Sequence, residues 1–485
     1  MSILQRNQRN FETWVTYYKN QNPDFEITKR QEYKLTPRQV QERAARGFND
    51  FPLTIFWKSD EDFAKLLGFK GQTDSHRALN SLVIDLLRAA QASQGVYYSR
   101  CSNSYKRHST GVIGLSTVKG AFKFLAKEGL VLNFIVPQGS YNELSSFAYA
   151  TPLLIEKFGH IVDSGSYERD KDSPIVTFKQ RKPEKFLKVP ETQFFADAKT
   201  ELIKHNQYIG AANIDISKNV VKRVNSVVTY TNPKGKEKII DLNRRYLTRR
   251  FNKPDSSSNY EAVGGRYYGA FWQNMNEDDR SLITINGEPV EEEELDYSSV
   301  SLQIAYASVG RRLFTKGGCK IKEDGYNVDI SGIAIGNTPL LLNPKQARKI
   351  VKKATQIMMN TASAKVASDA SGKEFKKLLP KVFSKYEFFE ISKYAQQVIQ
   401  RICKRHSIIS KFFFSDFGVE SQFIDSEIMT EVHKRCREHG IPILSVHDSI
   451  LYPKSKRPIV EPIFKSALEQ CLVKLISKTR FQMAA

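Results

Sequence analysis

The chain has 485 residues and is 40% hydrophobic, enough for two or three domains with real cores and too apolar for a disordered tail. Lys and Arg total 74 against 52 Asp and Glu, a formal charge of +22, so the natural partner is a polyanion, nucleic acid before an anionic membrane. No run approaches the roughly 18 apolar residues of a membrane span, and the polar opening Met1 to Asn7 lacks the apolar core of a signal peptide, which predicts no membrane partner and a cytoplasmic location.

Five scattered cysteines (Cys101, Cys319, Cys403, Cys436, Cys471), with no C-x-x-C pair, predict free thiols in a reducing compartment. Residues 1–74 are polar, aromatic and basic, broken by Pro23, Pro37 and Pro52, and assign no role to that region. Helices are expected at Asp60 to Leu67 and Ser81 to Ala92. Leu115 to Leu130 places Val118, Phe122 and Leu125 on one helical face, opens on a Ser/Thr cap and stops at Gly129. Extended segments follow from Leu130 to Val136 and, after a turn around Gly139, from Phe147 to Leu154.

A capped helix feeding a hairpin resembles a winged helix-turn-helix over residues 75–160. The resemblance implies that Ser116, Thr117, Lys119 and Lys123 are groove or phosphate contacts on DNA. An ordinary amphipathic helix with solvated lysines is the alternative. Residues 161–191 are charged and Pro-containing and read as a linker, leaving residues 192–485 as a mixed α/β catalytic body.

Within that body, Ile441 to Val446 and Ser449 to Tyr452 are apolar strands separated by His447-Asp448, a hairpin that would hold one carboxylate at its tip. Asp296 stands where the extended segment Pro289 to Leu295 gives way to a helix starting at Leu302. Two carboxylates from distant parts of a basic chain are the residue types that hold divalent metal beside a phosphate. Arg348, Lys352, Gln356 and Asn360 recur every fourth residue, so a helix would project them along one broad face, with Ile350, Ala354, Ile357 and Met358 elsewhere. A basic amphipathic surface helix is the competing account. The run Glu291 to Glu294 reads as a solvated strand edge, and His433, Cys436 and His439, weighed as a zinc site, read better as a solvated helix face.

Four of these segments resemble motifs of the family A DNA polymerases and their single-subunit RNA polymerase relatives, and they occur in that family's order. Gly264-Gly265-Arg266 with Gln273, Asn274 and Arg280 resembles the template–primer motif, Asp296-Tyr297-Ser298 resembles motif A, Arg348 to Asn360 resembles motif B, and His447-Asp448 resembles motif C. The resemblance covers about residues 200–485 and is to a divergent, phage- or mobile-element-like member without a proofreading domain.

It implies an α+β right-hand polymerase, with an antiparallel palm sheet, helical fingers and a reduced thumb, preceded by a mainly helical winged-helix-like domain. Asp296 and Asp448 would hold two Mg2+ ions, with Mn2+ able to substitute, and Lys352 would protonate the departing pyrophosphate. Arg348, Lys352, Gln356, Asn360, Ser301 and Tyr297 would meet the nucleoside triphosphate. Arg266, Gly265, Gln422 and His447 would meet a template–primer duplex of DNA. Replication accessory proteins are expected as further partners.

Two departures bear on the sugar. Ser301 stands where DNA polymerases of this type carry glutamate, and His447-Asp448-Ser449 matches the RNA polymerase form of motif C, whereas Asn360 replaces the tyrosine usual in both. A ribonucleotide-using RNA polymerase or primase is therefore one alternative. A catalytically inactive DNA-binding replication initiator or regulator is the other.

Overall fold

The computed structural model describes residues 32–35, 51–54, 57–92, 94–100, 105, 113–136, 145–170, 173–181, 183, 185–254, 260–294, 299–313, 324–336 and 338–484. Asp296 and Tyr297 lie outside these, as do Cys101 and Cys319. The fold is mixed α+β with largely antiparallel sheets. No helix among the described residues is long and apolar enough to cross a membrane.

Helix α1 spans Thr73–Gln91 and is followed by strand β1 (Val96–Tyr98), helix α2 (Leu115–Lys127), strands β2 (Val131–Ile135) and β3 (Ser146–Ala150), and helix α3 (Pro152–Asp163). β3 pairs antiparallel with β2 on one side (Val131 opposite Ala150) and with β1 on the other (Val96 opposite Ala148). The short strands Glu32–Lys34 and Phe51–Pro52 extend the two edges in parallel, on β2 and β1. The apolar stripe expected on α2 is buried, Val118, Phe122 and Leu125 among it, in one core with Leu79, Leu82 and Leu86 of α1. The second extended segment is shorter than its apolar run predicted. Thr151 accepts the Leu154 N–H and Pro152 opens α3, so the chain turns helical where apolar content alone reads as strand.

Residues 161–191, expected as a linker, carry strands β4 (Val176–Gln180) and β5 (Lys185–Leu187), paired with Phe178 opposite Leu187. Its prolines fall outside these strands, while Val176 and Phe178 are buried. Helix α4 (Gln193–Ala211) follows, then β6 (Ile214–Ile216), β7 (Val220–Val224), β8 (Val227–Thr231), β9 (Glu237–Asp241), β10 (Thr248–Asn252), β11 (Val263–Tyr268) and β12 (Ile283–Ile285). β7, β8 and β9 form an antiparallel meander, and β6 pairs with β12.

The remaining elements are β13 (Glu288–Glu294), α5 (Val300–Ala307), α6 (Pro344–Met359), α7 (Ala364–Leu378), α8 (Phe388–Arg405), α9 (Gly418–Glu438), the hairpin strands β14 (Leu444–Val446) and β15 (Ser449–Pro453), and α10 (Arg457–Ala484).

The described residues gather into two compact units rather than consecutive domains. The first draws on Met1–Phe195, Ile214–Thr248 and Gly269–Gly287, and the second on Ala196–Asn213, Arg249–Tyr268 and Glu288–Ala485. The chain thus passes between units five times, so no single boundary near residue 191 separates them.

In the first unit a buried polar knot ties α1 to its surroundings. Asp85 accepts the Thr54 N–H at 2.8 Å and the Trp57 indole N–H at 2.9 Å, while the Arg88 guanidinium stacks 3.9 Å over Trp57 and pairs with Asp241 at the end of β9. Each of these buried charges has a counter-charge, the condition under which burial is tolerated.

In the second unit β13 runs antiparallel to β15, which turns back on β14. Helices α5, α9 and α10 pack on one another, α9 lies along β11, and α6, α7 and α8 form a separate helical layer.

Candidate functional site

The second unit holds the described residues of motifs B and C together with Gly264, Gly265 and Arg266, whereas Gln273, Asn274 and Arg280 of the template–primer segment fall in the first unit. The centre of the second unit is the β14–β15 hairpin. Val446 pairs with Ser449, leaving His447-Asp448 as a two-residue turn, and His447 takes a left-handed φ of +56°. The hairpin expected from the interrupted apolar run is therefore present, with Leu444, Ile450, Leu451 and Tyr452 buried and Asp448 half-buried at its tip. A carboxylate held between two core strands has little freedom, which suits a metal ligand.

The strand leading to Asp296 is registered on the same hairpin. Val290 lies opposite Pro453 and Glu294 opposite Ser449, the residue after Asp448. Asp296 follows Glu294 by two residues and lies outside the described residues. The chain is described again at Ser299, which caps α5 in the left-handed conformation, with Ser301 half-buried in the helix's first turn. The acidic strand is not a solvated edge at the two glutamates whose side chains are described: the Glu292 carboxylate accepts the Ser449 hydroxyl at 2.8 Å, and Glu291 pairs with Arg457 at 2.7 Å.

Arg266 projects from β11 toward α9, where both its Nε and an Nη donate to Asp425 Oδ2 at 3.1 and 2.9 Å. Asp425 is buried, and its Oδ1 has no hydrogen-bond partner. Burial pushes the Asp425 carboxyl up to about 7 although Arg266 pulls it down, and the charge of Asp448 raises it further. Asp448 also helps hold the Arg266 guanidinium charged. Arg266, Asp425 and Asp448 therefore form one electrostatic group.

Gly264 and Gly265 both have φ near +80°, and a Cβ on Gly265 would lie 2.7 Å from the Phe251 ring and 2.8 Å from Ser426 Oγ. The close approach these glycines permit is thus to β10 and α9. Arg249 completes the contact, buried and donating to the Gly265 carbonyl, Ser426 and Glu427. His447 packs edge-on against Tyr268, which lies under Arg250. Gln422 is half-buried in the second turn of α9.

Helix α6 opens on a capping box between Asn343 and Gln346, with Pro344 at its first position. Ile350, Val351, Ala354, Thr355 and Met358 form its buried stripe, and Arg348, Lys352 and Gln356 are half-buried on the remaining surface. Asn360 lies beyond the last helical residue as the C-cap, with its side chain donating to the Gln356 carbonyl. It therefore shares the periodicity but not the helix.

Arg348 is engaged through its Nε by Asp324 Oδ2 and stands 5.7 Å over the Tyr326 ring. Burial, followed by the charges of Asp324 and Asp448, raises the Tyr326 phenol pKa, so Asp448 acts on this side too. An open cleft of about 750 Å3 extends from Arg348 along residues 324–332 and 340–347.

Asp324 and Asp425 were not singled out in the sequence. Asp425 leaves a signal, since Ser421, Asp425, Ile428 and Val432 share the buried face of α9 and an acid on an apolar stripe needs a counter-charge. Asp324-Gly325 reads as no more than a turn. His433 and Cys436, expected on a solvated face, are buried, because α4 covers that side of α9 and stacks His205 on His433.

No group of three or more His, Cys, Asp or Glu side chains able to hold a metal ion is found among the described residues, Asp296 not being one of them. Ser116, Thr117, Lys119 and Lys123 belong to the first unit, where Ser116, Lys119 and Lys123 are exposed and Thr117 half-buried on α2. Cys403, Cys436 and Cys471 are free thiols. No protein-family model matches this chain, and no curated protein is significantly similar to it.

Proposed function

We propose that the chain is a template-directed nucleotidyltransferase of the family A polymerase type, acting in replication, priming or transcription. The observation that carries this reading is the register of β13 on β15, which brings the chain to within two residues of Asp296 at the flank of the turn that bears Asp448. Asp448 and the strand that precedes Asp296 thus share one end of one sheet. An antiparallel sheet carrying an acid-tipped hairpin, beside a separate layer of helices containing Arg348 and Lys352, is the arrangement such an enzyme needs.

The donor type suits magnesium at Asp448, the one described carboxylate of the proposed pair. Asp448 is a half-exposed hard oxygen donor on a rigid turn, and Asp296 would be its companion. Bound there, two such ions supply charge stabilisation for in-line displacement at phosphorus. The chain's own contribution is positional. Arg266, held by Asp425 beside the turn, would bind the primer-strand end, and His447 against Tyr268 would orient it. Arg348 and Lys352 would bind the phosphates, and Lys352 would deliver a proton to the leaving pyrophosphate. Ser301, a small side chain in the first turn of α5, leaves a ribose hydroxyl unopposed, which favours ribonucleotide use.

The first unit supports a DNA foothold. Helix α1, strand β1, helix α2 and the β2–β3 hairpin, with β1 on β3, follow the order of a winged helix, and α2 presents Ser116, Lys119 and Lys123 outward. That face is also what a non-catalytic initiator would use.

Primer extension on DNA and RNA templates, with ribo- and deoxyribonucleotides supplied separately, tests the reading. Incorporation that falls roughly a thousandfold or more in Asp296→Ala and Asp448→Ala supports it. Sequence-specific binding of duplex DNA with no incorporation under magnesium or manganese would favour the initiator instead.

A further inference from the structure

The first turn of α8 holds two phenylalanines in solvent, Phe388 at 41% exposure and Phe389 at 65%. One exposed ring is ordinary, but two in succession among charges of one sign are not. Between Lys373 and Lys393 the chain has six lysines against three glutamates, and all six lysines are exposed. Helices α7 and α8 run back along each other, with the Ser392 hydroxyl donating to Asp369 at 2.6 Å, so the two ends of this stretch meet. Lys373 Nζ stands 5.8 Å from the centre of the Phe388 ring, and Lys393 Nζ 4.2 Å from that of Phe389. The acids are engaged locally: Glu374 pairs with Lys353 and Lys377, and Glu387 and Glu390 each accept the other's backbone N–H at the head of α8.

We propose that this end of the α7–α8 layer binds single-stranded nucleic acid, with Phe388 and Phe389 as platforms for unpaired bases and Lys373 and Lys393 beside them on the phosphates. A ring can stack only on a base whose face is open, and in a duplex the neighbouring pairs already cover both faces, so the surface selects the single strand. The lysines supply the charge that a polyanion needs, and the chain's net +22 draws it in. A protein or lipid surface would call for a broader apolar patch than two rings bracketed by Glu387 and Glu390. None of these residues is among those assigned above to the nucleotide or the metal, and the proposal draws nothing from that chemistry.

Because other basic faces of the chain also attract nucleic acid, the test reads this surface alone. Phe389→Trp in the full chain keeps an aromatic platform and places a reporter on it. Its emission, measured against the unchanged chain, should be quenched by an oligodeoxythymidylate of about twelve residues and not by a blunt duplex of the same length. In that background Phe388→Ala should weaken the quenching titration about tenfold with its salt slope unchanged, since stacking releases no counterions. Lys373→Gln and Lys393→Gln should each lower the slope of log affinity against log salt by about 0.7, the value for one phosphate of a single strand.

Should Phe388→Ala lower the melting temperature, Phe388→Leu, which keeps apolar bulk but has no ring face, reads the same loss. Absence of quenching by the single strand, equal quenching by the duplex, or a salt slope indifferent to both lysines overturns the proposal. So does single-strand binding that survives Phe388→Ala/Phe389→Ala while self-association or binding to phosphatidylserine vesicles is lost, which would give the rings to a second copy of the chain or to a lipid surface.

Discussion

The imidazoles of His205 on α4 and His433 on α9 lie ring on ring, their centroids 3.9 Å apart and their planes within 9°. Both are buried, and none of the four ring nitrogens has a hydrogen-bond partner. Tyr267 closes one side, and the charges of Arg249 and Arg437 oppose protonation of the pair. Burial depresses His205 to about 3 and His433 well below its ordinary value.

The sign of the resulting pH dependence follows directly. Below about pH 6.5 the unfolded chain takes up protons at both rings while the folded chain does not, so stability is whole above that pH and is lost as pH falls toward 3. Each ring contributes a slope of up to about 1.4 kcal/mol per pH unit in that window. Denaturant titrations from pH 7.5 to 4.5 should show this acid limb, and a His205→Phe/His433→Phe variant should flatten it. An unaltered limb in that variant would place the acid lability elsewhere.

Arg266 and Asp425 give a dependence of opposite sense. A carboxyl raised above its unfolded value stabilises the fold when protonated and loses that contribution as pH rises through its folded pKa, here about 7. Arg266→Gln removes the cation that restrains the rise. The variant should lose about 3 kcal/mol at pH 8 and much less at pH 5, where the acid is neutral. Equal losses at both pH values would mean that Arg266 contributes by packing and not by charge.

Gly265 distinguishes packing from nucleic-acid contact. Gly265→Ala adds a methyl 2.7 Å from the Phe251 ring in a backbone conformation that disfavours it, and should cost about 2–4 kcal/mol by thermal or denaturant unfolding. Stability unchanged, with weaker binding of a primer–template duplex, would assign the glycine to the ligand instead.

At the hairpin tip, stability and function should separate. His447→Gly relieves a left-handed non-glycine residue and should leave the fold as stable or about 1 kcal/mol more so. Nucleotide incorporation should fall, because the ring beside Asp448 is gone. A variant that loses stability while retaining incorporation would make His447 a structural residue resting on Tyr268.

On α2, Lys119→Gln and Lys123→Gln should each lower the slope of log affinity for duplex DNA against log salt by about one, without altering the melting temperature. The lysines are exposed and lie outside the stripe of buried Val118, Phe122 and Leu125. A salt slope unaffected by both would make them ordinary solvated charges.

Local pattern made several elements legible. The β14–β15 hairpin is readable because two apolar runs flank a two-residue polar interruption, and α2 and α6 because their apolar residues recur at helical spacing, although the expected Ser/Thr cap of α2 is replaced by Gly114, which makes no side-chain cap. The end of β3 at Thr151 was missed because Pro152 and Leu154 are as apolar as the strand before them, and the helix cap, not hydrophobicity, decided the change. Residues 161–191 were misread because strand-flanking turns and linkers share the same composition.

What the amino-acid sequence determined by itself was the identity of several short elements and the positions of Asp448 and Arg348 on them, since strand alternation, helix periodicity and turn chemistry act over a few residues. Only the tertiary structure decided that Asp425 holds Arg266, that Asp324 holds Arg348, that His205 stacks on His433 and that the chain weaves five times between two units. The physical reason is that a buried charge or ring is satisfied by whatever the fold brings beside it. Asp425 and Arg266 are 159 positions apart, a separation over which no local periodicity carries information.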